Sequence, residues 1–225
     1  MRKMRKRTEK GLTEIYVEPV HVGNVFKVPL MRVETINDID GLVFDLYVAL
    51  RRAGGFAEFG DLLLFAADKP WPYGEVGIED PVLRATRVWS WWWWFRSRHG
   101  DPQQWPETRA EKNVNEAVLA EVVETLPVLH ERLQRVQVED APPERVVRRY
   151  AVEGAYCYCA PYGTDVEVDH EALVRELLAC SATLIEVVVP ATAAAYKVLR
   201  ESPGWVWREV SPTEVSYIRE DRTAD

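Results

Sequence analysis

The chain has 225 residues, 47% of them hydrophobic, which is enough apolar material for one sizeable core or for two small domains that share an interface. No apolar run approaches the roughly 18 to 20 residues that a membrane-spanning helix needs, so we expect no contact with a membrane. The three cysteines do not suit a disulfide framework, and no hydrophobic stretch of a secretory signal follows the basic N-terminus. These features predict a soluble cytoplasmic protein with free thiols.

Charge is distributed unevenly along the chain. The formal net charge is −8, yet six of the 28 basic residues and only one of the 36 acidic residues fall within residues 1–10. We expect this segment to be a disordered basic arm, and residues 11–225 to form one compact, acidic domain. Such an arm could contact nucleic acid, an anionic membrane surface or an acidic protein surface.

The first predicted elements are short strands followed by a helix. Residues 13–36 are rich in β-branched side chains and are interrupted by two prolines and a glycine, which predicts two or three short strands. Asp38 then stands as the N-cap of a helix whose apolar residues recur at helical spacing, and Gly54 with Gly55 ends this helix. Residues 56–81 predict a strand or a short helix and then a long loop.

The clearest helical pattern lies near residues 109–138. Thr108 and Glu111 have the spacing of a capping box, and seven aliphatic residues then recur at steps of three and four. Pro127 lies inside this pattern and lacks the N–H of an ordinary helical residue. We therefore expect one long amphipathic helix that is kinked or split at the proline.

The adjacent prolines of residues 139–144, EDAPPE, predict an extended linker or a subdomain boundary, because they disfavour helix. Strand-like and helix-like stretches alternate after this boundary. Strands are predicted for residues 146–159, 165–168, 184–189, 205–210 and 214–218, and helices for residues 169–180, capped by Asp169, and 191–201. The fold class predicted by the sequence is therefore α+β or α/β, with a mixed sheet and flanking helices.

Residues 89–97, WSWWWWFRS, contain five tryptophans and one phenylalanine. Four consecutive tryptophans sweep about 300° around a helix axis, and in a strand they alternate between the two faces, so the segment has to be covered on two sides. We therefore expect a central element of the core or an interface with another subunit. The candidate interface residues are Trp89, Trp91, Trp92, Trp93, Trp94 and Phe95.

Arginines around this aromatic segment permit a third interpretation, a stacking platform for single-stranded nucleic acid. Residues 81–100 contain no acidic residue, so nothing in this stretch would repel a phosphate. Together with the basic arm, the segment supplies the candidates for contact with nucleic acid: Arg2, Lys3, Arg5, Lys6, Arg7, Arg84, Arg87, Arg96 and Arg98.

The stretch YCYCAPYG places Cys157 and Cys159 on one face of a predicted strand and two tyrosines on the other. With His170 and Cys180, these thiols could supply the four ligands of a zinc site, or His170 could act as the base for a nucleophilic cysteine. Cys-x-Cys on a strand is not the usual spacing of a zinc knuckle, however. We therefore expect small buried thiols and no zinc.

Residues 165–170, DVEVDH, place Asp165, Glu167 and Asp169 on one face of a predicted strand. Clustered carboxylates can hold Mg²⁺ for hydrolytic chemistry, with His170 nearby as a base. The same alternation is typical of any half-buried strand, and Asp169 also stands where a helix needs its cap. We therefore expect neither a metal nor another cofactor, and these three carboxylates remain the alternative metal ligands.

The sequence contains no phosphate-binding glycine loop, dinucleotide fingerprint, nucleophile elbow or His-Glu-x-x-His pair. Apolar and aromatic residues are abundant, whereas catalytic candidates are few. This balance favours a non-enzymatic interaction or assembly protein within a larger intracellular complex, with a protein partner or a homo-oligomer expected. The alternatives are a nucleic-acid-associated accessory protein that uses the basic arm and the Arg/Trp segment, and a metal-dependent hydrolase or nuclease.

Overall fold

The computed structural model of the chain describes residues 14–20, 25, 28–38, 41–52, 54, 57–58, 61, 123–124, 126–162 and 167–220. The chain divides into two compact units. The first unit comprises residues 1–40 and 136–225, and the second comprises residues 41–135. The basic arm, the tryptophan segment and Asp165 lie outside the described residues.

The first unit is built on a seven-stranded mixed sheet in the order β3-β2-β1-β4-β5-β7-β6. Its strands are β1 (Ile15–Glu18), β2 (Val33–Asn37), β3 (Val136–Glu139), β4 (Ala155–Cys159), β5 (Leu184–Pro190), β6 (Trp205–Ser211) and β7 (Glu214–Glu220). The first five strands are parallel, and β7 is antiparallel to both β5 and β6. This sheet and its flanking helices confirm the predicted fold class.

The strand order reverses at β1. From β1 the chain proceeds outward to β2 and β3 on one side, and the later strands β4 and β5 follow on the other side. The carboxyl ends of all five parallel strands therefore lie at one edge of the sheet. Such a reversal is a topological switch point, and doubly wound sheets bind their ligands outside the carboxyl ends of the strands at this point.

The helices of the first unit, and the helix that opens the second unit, are short. They are α1 (Gly41–Arg51), α2 (Pro143–Tyr150), α3 (His170–Ala179) and α4 (Lys197–Glu201), and a single turn of 3₁₀ helix (Ala194–Tyr196) leads into α4. None of the helices in the described part of the chain has the length and apolarity that a bilayer-spanning segment requires. Along the chain of the first unit, α2 lies between β3 and β4, and α3 lies between β4 and β5.

The prediction of one strand over residues 146–159 is wrong. The first part of that range lies in α2, and only Ala155–Cys159 forms a strand. Pro142 is the N-cap of α2 and Pro143 opens its first turn, where a missing N–H costs nothing because that group has no partner inside the helix. The paired prolines thus begin a helix here, whereas we expected them to disfavour one.

Other predictions for the first unit are confirmed in part. Helix α3 follows the predicted boundaries closely, and the Oδ1 atom of Asp169 accepts a hydrogen bond of 2.9 Å from the backbone N–H of Ala172, as expected of an N-cap. The predicted strand over residues 165–168 is wrong for its described residues, 167 and 168, which are not in a strand. The predicted helix over residues 191–201 is a 3₁₀ turn followed by α4.

The second unit is described in residues 41–52, 54, 57–58, 61, 123–124 and 126–135. Residues 126–133 are helical and include Pro127, and the ring Nδ1 of His130 lies 2.6 Å from the carbonyl oxygen of Leu50 in α1. The long helix predicted near residues 109–138 does not reach its predicted end, because Val136 already begins β3. Most of its N-terminal half lies outside the described residues.

One face of the sheet packs against α2 and α3. The strand register places Val17, Cys157 and Ile185 side by side on three neighbouring strands, and all three are fully buried. Val147 of α2 and Leu173 of α3 belong to the same apolar cluster. Burial of each aliphatic side chain contributes roughly 1.5–3 kcal/mol, so this layer fixes α3, and with it the residues at the start of α3, against the sheet.

The opposite face of the sheet carries hydrogen-bonded polar groups. The hydroxyl of Tyr156 donates to Oε2 of Glu186 at 3.0 Å, and the other oxygen of that carboxylate accepts from Arg208 at 2.8 Å and from Ser216 at 3.1 Å. The ring of Tyr16 meets the ring of Tyr156 edge-on, with centroids 5.6 Å apart. The two faces therefore differ in character, as expected of a sheet whose strands alternate apolar and polar residues.

Thr35 is the one described residue whose fully buried side-chain oxygen has no hydrogen-bond partner within the described chain. It lies opposite Val17 in the register, on the face that packs against the helices. We predict that Thr35→Val raises the free energy of unfolding by about 1 kcal/mol, because valine keeps the shape and removes an unsatisfied polar group. Urea unfolding provides the measurement, and the same change at the exposed Thr192 is the control. A loss of stability in Thr35→Val would show that the hydroxyl has a partner.

Candidate ligand-binding site at the carboxyl ends of the parallel strands

Glu18 is the last residue of β1 and is fully buried. Its Oε2 atom accepts a hydrogen bond of 2.9 Å from the backbone N–H of Val25 and one of 3.0 Å from the hydroxyl of Tyr16. The first bond ties the loop after β1 back to the strand. A carboxylate therefore stands at the carboxyl end of the central strand, beside the switch point.

Asn37 and Asp38 stand at the carboxyl end of the next strand, β2. The side-chain amide nitrogen of Asn37 donates to the carbonyl oxygens of Pro19 and Ala141, each at 2.8 Å, and its oxygen accepts from the N–H of Ala141 at 2.9 Å. The backbone N–H of Asp38 donates to the carbonyl of Glu139 at 3.0 Å, and Asp38 is buried. These bonds hold the loops after β1 and β3 against the end of β2.

Tyr162 lies three residues beyond the end of β4. Its side chain is 45% exposed, although Pro161 before it is buried. One side of the phenol ring stacks on the imidazole of His170, with centroids 4.5 Å apart and an interplanar angle of 13°. The ring of Tyr196 meets Tyr162 edge-on at 6.1 Å. An exposed aromatic surface, backed by two further rings, therefore stands at the same edge as Glu18 and Asp38.

His170 and Tyr196 form a hydrogen-bonded pair beneath Tyr162. The ring Nδ1 of His170 lies 2.9 Å from the hydroxyl oxygen of Tyr196. Burial lowers the pKa of His170, and the nearby carboxylate of Asp169 opposes this effect. Burial raises the pKa of Tyr196 well above its ordinary value. At neutral pH the pair is therefore an uncharged imidazole and an uncharged phenol.

The thiols of β4 are buried, as we expected from the sequence. Burial raises the pKa of both Cys157 and Cys159, and the carboxylate of Glu18 raises that of Cys159 further. A thiolate, which a nucleophile or a zinc ligand requires, is therefore disfavoured at either position. Cys180 lies apart in sequence after α3, where its thiol donates to the carbonyl of Leu177 at 3.5 Å.

The carboxylates proposed as alternative metal ligands are only partly described. Glu167 and Asp169 are exposed, and the side chain of Asp169 caps α3. Among the described residues, no group of three or more His, Cys, Asp or Glu side chains is arranged to hold a metal ion. The aromatic interface candidates and the nine basic candidates for nucleic-acid contact lie outside the described residues.

The sequence interpretation missed the residues that the structure brings together here: Glu18, Asn37, Asp38, Tyr162 and Tyr196. A signal for them was present, because the strand-like runs IYVE and VETIN end in polar residues, an acidic residue follows the second run, and an aromatic residue closely follows AYCYC. Residues just after the carboxyl ends of parallel strands meet at one edge of a sheet. The signal was not usable without the knowledge that these three strands are parallel neighbours.

Comparison with known proteins finds a distant likeness to solved structures. No family model and no curated protein sequence matches the chain. A solved structure of the rRNA methyltransferase AviRa from Streptomyces viridochromogenes matches it over 97% of this chain and 83% of the other, at 11% identity and a TM-score of 0.35. Such a match is too distant to assign a reaction.

The matched protein is nevertheless an enzyme, and this contradicts our prediction of a non-enzymatic interaction or assembly protein. We withdraw that prediction. Its basis was the scarcity of catalytic motifs in the sequence. That scarcity is a poor guide, because a cofactor-dependent enzyme leaves the difficult chemistry to the cofactor and needs few reactive side chains of its own.

We predict that NMR titration of His170 gives a pKa below its ordinary value of about 6.5. The Asp169→Asn variant should lower that pKa further, because the carboxylate favours the imidazolium. Since the folded pKa is depressed, the free energy of unfolding should fall as the pH drops below about 6.5, and His170→Gln should remove this dependence. The exposed Glu153→Gln, at the opposite edge of the sheet, is the control. A rise in the pKa of His170 on Asp169→Asn would contradict the assignment.

Proposed function

We propose that the first unit is the catalytic body of a group-transfer enzyme, with methyl transfer to a planar nitrogen-containing ring as its reaction. The observation that carries the proposal is the reversal of strand order at β1, with Glu18, Asp38 and Tyr162 at the carboxyl edge of the sheet, where doubly wound folds bind their ligands. A nucleoside-containing methyl donor would lie at the ends of β1 and β2. The acceptor ring would lie against Tyr162 at the end of β4.

The residues at the end of β2 favour a nucleoside as the ligand. In doubly wound folds an acidic residue near this position accepts hydrogen bonds from the ribose hydroxyls, and Asp38 provides such a carboxylate. Asn37 positions it by fixing the loops on both sides. Residues 19–32 contain a single glycine, whereas the sequence fingerprint of a pyrophosphate-binding loop has several. A nucleoside without phosphate fits this loop better.

The acidic residues at this edge favour a positively charged methyl donor. Glu18 and Asp38 both bring carboxylates to the ends of neighbouring strands. Buried carboxylates repel a phosphate and attract a positive centre, and the attraction is strong where little water intervenes. S-adenosylmethionine combines a nucleoside, a positively charged sulfonium and no phosphate. This donor supplies an activated methyl group, and the protein has to bind and orient the two reactants.

The exposed ring of Tyr162 supports a planar acceptor. Nucleobases stack on aromatic side chains with roughly 1–3 kcal/mol per base, and Tyr162 has the exposed surface for such a contact. His170 backs the other side of the ring, and Tyr196 fixes His170 through a hydrogen bond. The platform is therefore rigid before the acceptor arrives, which lowers the entropic cost of binding.

Calorimetric titration with S-adenosylmethionine and with its demethylated product tests the donor side. We expect the intact chain to bind both ligands and Asp38→Asn to weaken binding by about tenfold or more, since a charge-assisted hydrogen bond to the ribose is lost. The control is Glu153→Gln, an exposed carboxamide substitution far from the carboxyl edge, which should bind unchanged. Failure of the folded wild-type chain to bind either ligand would overturn the donor assignment.

Transfer of a radiolabelled methyl group to free nucleosides, RNA and DNA tests the acceptor side. We expect Tyr162→Ala to lose at least about tenfold in turnover at low acceptor concentration, with donor binding retained, because only the stacking surface is removed. Tyr162→Phe keeps the ring and should retain most activity. The exposed Val152→Ala, just before β4, is the control. Full activity of Tyr162→Ala would contradict the proposed platform.

A further inference from the structure

A cavity lies between α4 and the antiparallel strands β6 and β7. Its volume is about 310 Å³, which is the size of a pocket for a small molecule. Its walls include Lys197 and Arg200 from α4, Trp207 from β6 and Tyr217 from β7. None of these side chains belongs to the site at the carboxyl ends of the parallel strands, so the cavity calls for a separate explanation.

Tyr217 lines the cavity, and its hydroxyl makes no hydrogen bond within the described chain. The residue as a whole is buried, but its hydroxyl is not among the buried unpartnered atoms of the described residues, so it is accessible from the cavity. Burial raises the pKa of Tyr217, and the nearby guanidinium of Arg200 only partly offsets this effect. The hydroxyl therefore stays protonated at neutral pH and is available as a hydrogen-bond donor.

Two cations from α4 line the same cavity. Lys197 and Arg200 are three residues apart, so they project from the same side of the helix. Neither makes an ion pair within the described residues. The cavity thus brings together an ammonium group, a guanidinium group and a phenol hydroxyl, all of which donate hydrogen bonds.

Trp207 gives the cavity an aromatic surface. The guanidinium of Arg200 lies 4.3 Å from the centroid of the Trp207 ring. A guanidinium that is stacked by its face keeps the N–H groups along its edge available, and this edge matches the two oxygens of a carboxylate or a phosphate. Trp207 is 39% exposed, which leaves part of its ring for contact with a ligand.

The cavity also has acidic residues at its margin. Glu201 and Glu209 line it and are both exposed, so water screens their charges. They disfavour a highly charged anion such as a polyphosphate. A ligand with a single anionic group, placed between α4 and Tyr217, avoids most of this repulsion.

We propose that this cavity binds a small organic anion in which a carboxylate or phosphate group is attached to a planar ring. The anionic group accepts hydrogen bonds from Lys197, Arg200 and Tyr217, and the ring lies against Trp207. This site is independent of the proposed methyl transfer, and either proposal stands if the other fails.

Calorimetric titration of the intact chain with benzoate and with phenyl phosphate tests the proposal, and benzamide is the neutral isostere of benzoate. We expect both anions to bind and benzamide not to bind. Tyr217→Phe, Lys197→Gln and Arg200→Gln should each weaken binding by about tenfold, since each removes one donor to a charged group. Arg145→Gln, an exposed change on α2, should leave binding unchanged. Trp207→Leu should weaken binding of both aryl anions.

Circular dichroism and thermal melting confirm that each variant is folded before titration. The proposal is overturned if the wild-type chain binds neither anion, if benzamide binds as tightly as benzoate, or if binding survives the combined change of Tyr217→Phe and Arg200→Gln. Equal binding of inorganic phosphate and phenyl phosphate would also overturn it, because the ring would then contribute nothing. Glu209→Gln gives a further check, since removal of a rim carboxylate should tighten binding of either anion.

Discussion

The side-chain amide of Asn37 is the contact on which the carboxyl edge of the sheet depends. Through three hydrogen bonds it joins the loop after β1, at Pro19, to the loop after β3, at Ala141, across the end of β2. Each parallel strand is hydrogen-bonded to its neighbour only along its own length, so nothing in the ladder itself fixes the loops beyond it. The amide provides that link, and the adjacent Asp38 takes its position from it.

Helix α3 fixes the other half of the carboxyl edge of the sheet. Packing of α3 against Cys157 and Ile185 sets the position of the helix start, where Asp169 closes the first turn and His170 meets Tyr196. Tyr162 then rests on His170. The exposed aromatic surface therefore depends on a buried apolar layer several residues away, and a change that loosens α3 should disturb the site without touching it.

The sequence correctly predicted those elements whose first and last residues are determined by residues close to them in the chain. Helix α3 is an example, because its cap at Asp169 and its apolar spacing lie within one short stretch. The pattern failed at α2, where Pro142 and Pro143 suit either an extended linker or the first turn of a helix, and only the packing of Val146 and Val147 decides between them. Strand alternation over residues 146–159 was misleading for the same reason.

The candidate site was harder to predict than the fold, because its residues are distant in sequence. Glu18, Asp38 and Tyr162 come together only through the strand order, and hydrophobic patterns contain no information on which strands are neighbours. The sequence analysis instead examined residues that cluster along the chain, such as the thiols of β4. Their clustering reflects the alternation of a buried strand, and burial makes them poor nucleophiles and poor ligands.

The two proposed sites of the first unit select opposite charges, and the architecture of the sheet explains the difference. At the carboxyl edge, Glu18 and Asp38 are acidic residues at strand ends, so this edge favours a cationic ligand. At the antiparallel side, Lys197 and Arg200 come from a helix that lies over Trp207 and Tyr217, so the cavity favours an anion. A ligand suited to one site is repelled by the other. If both proposals hold, the first unit should bind both ligands at once, without competition between them.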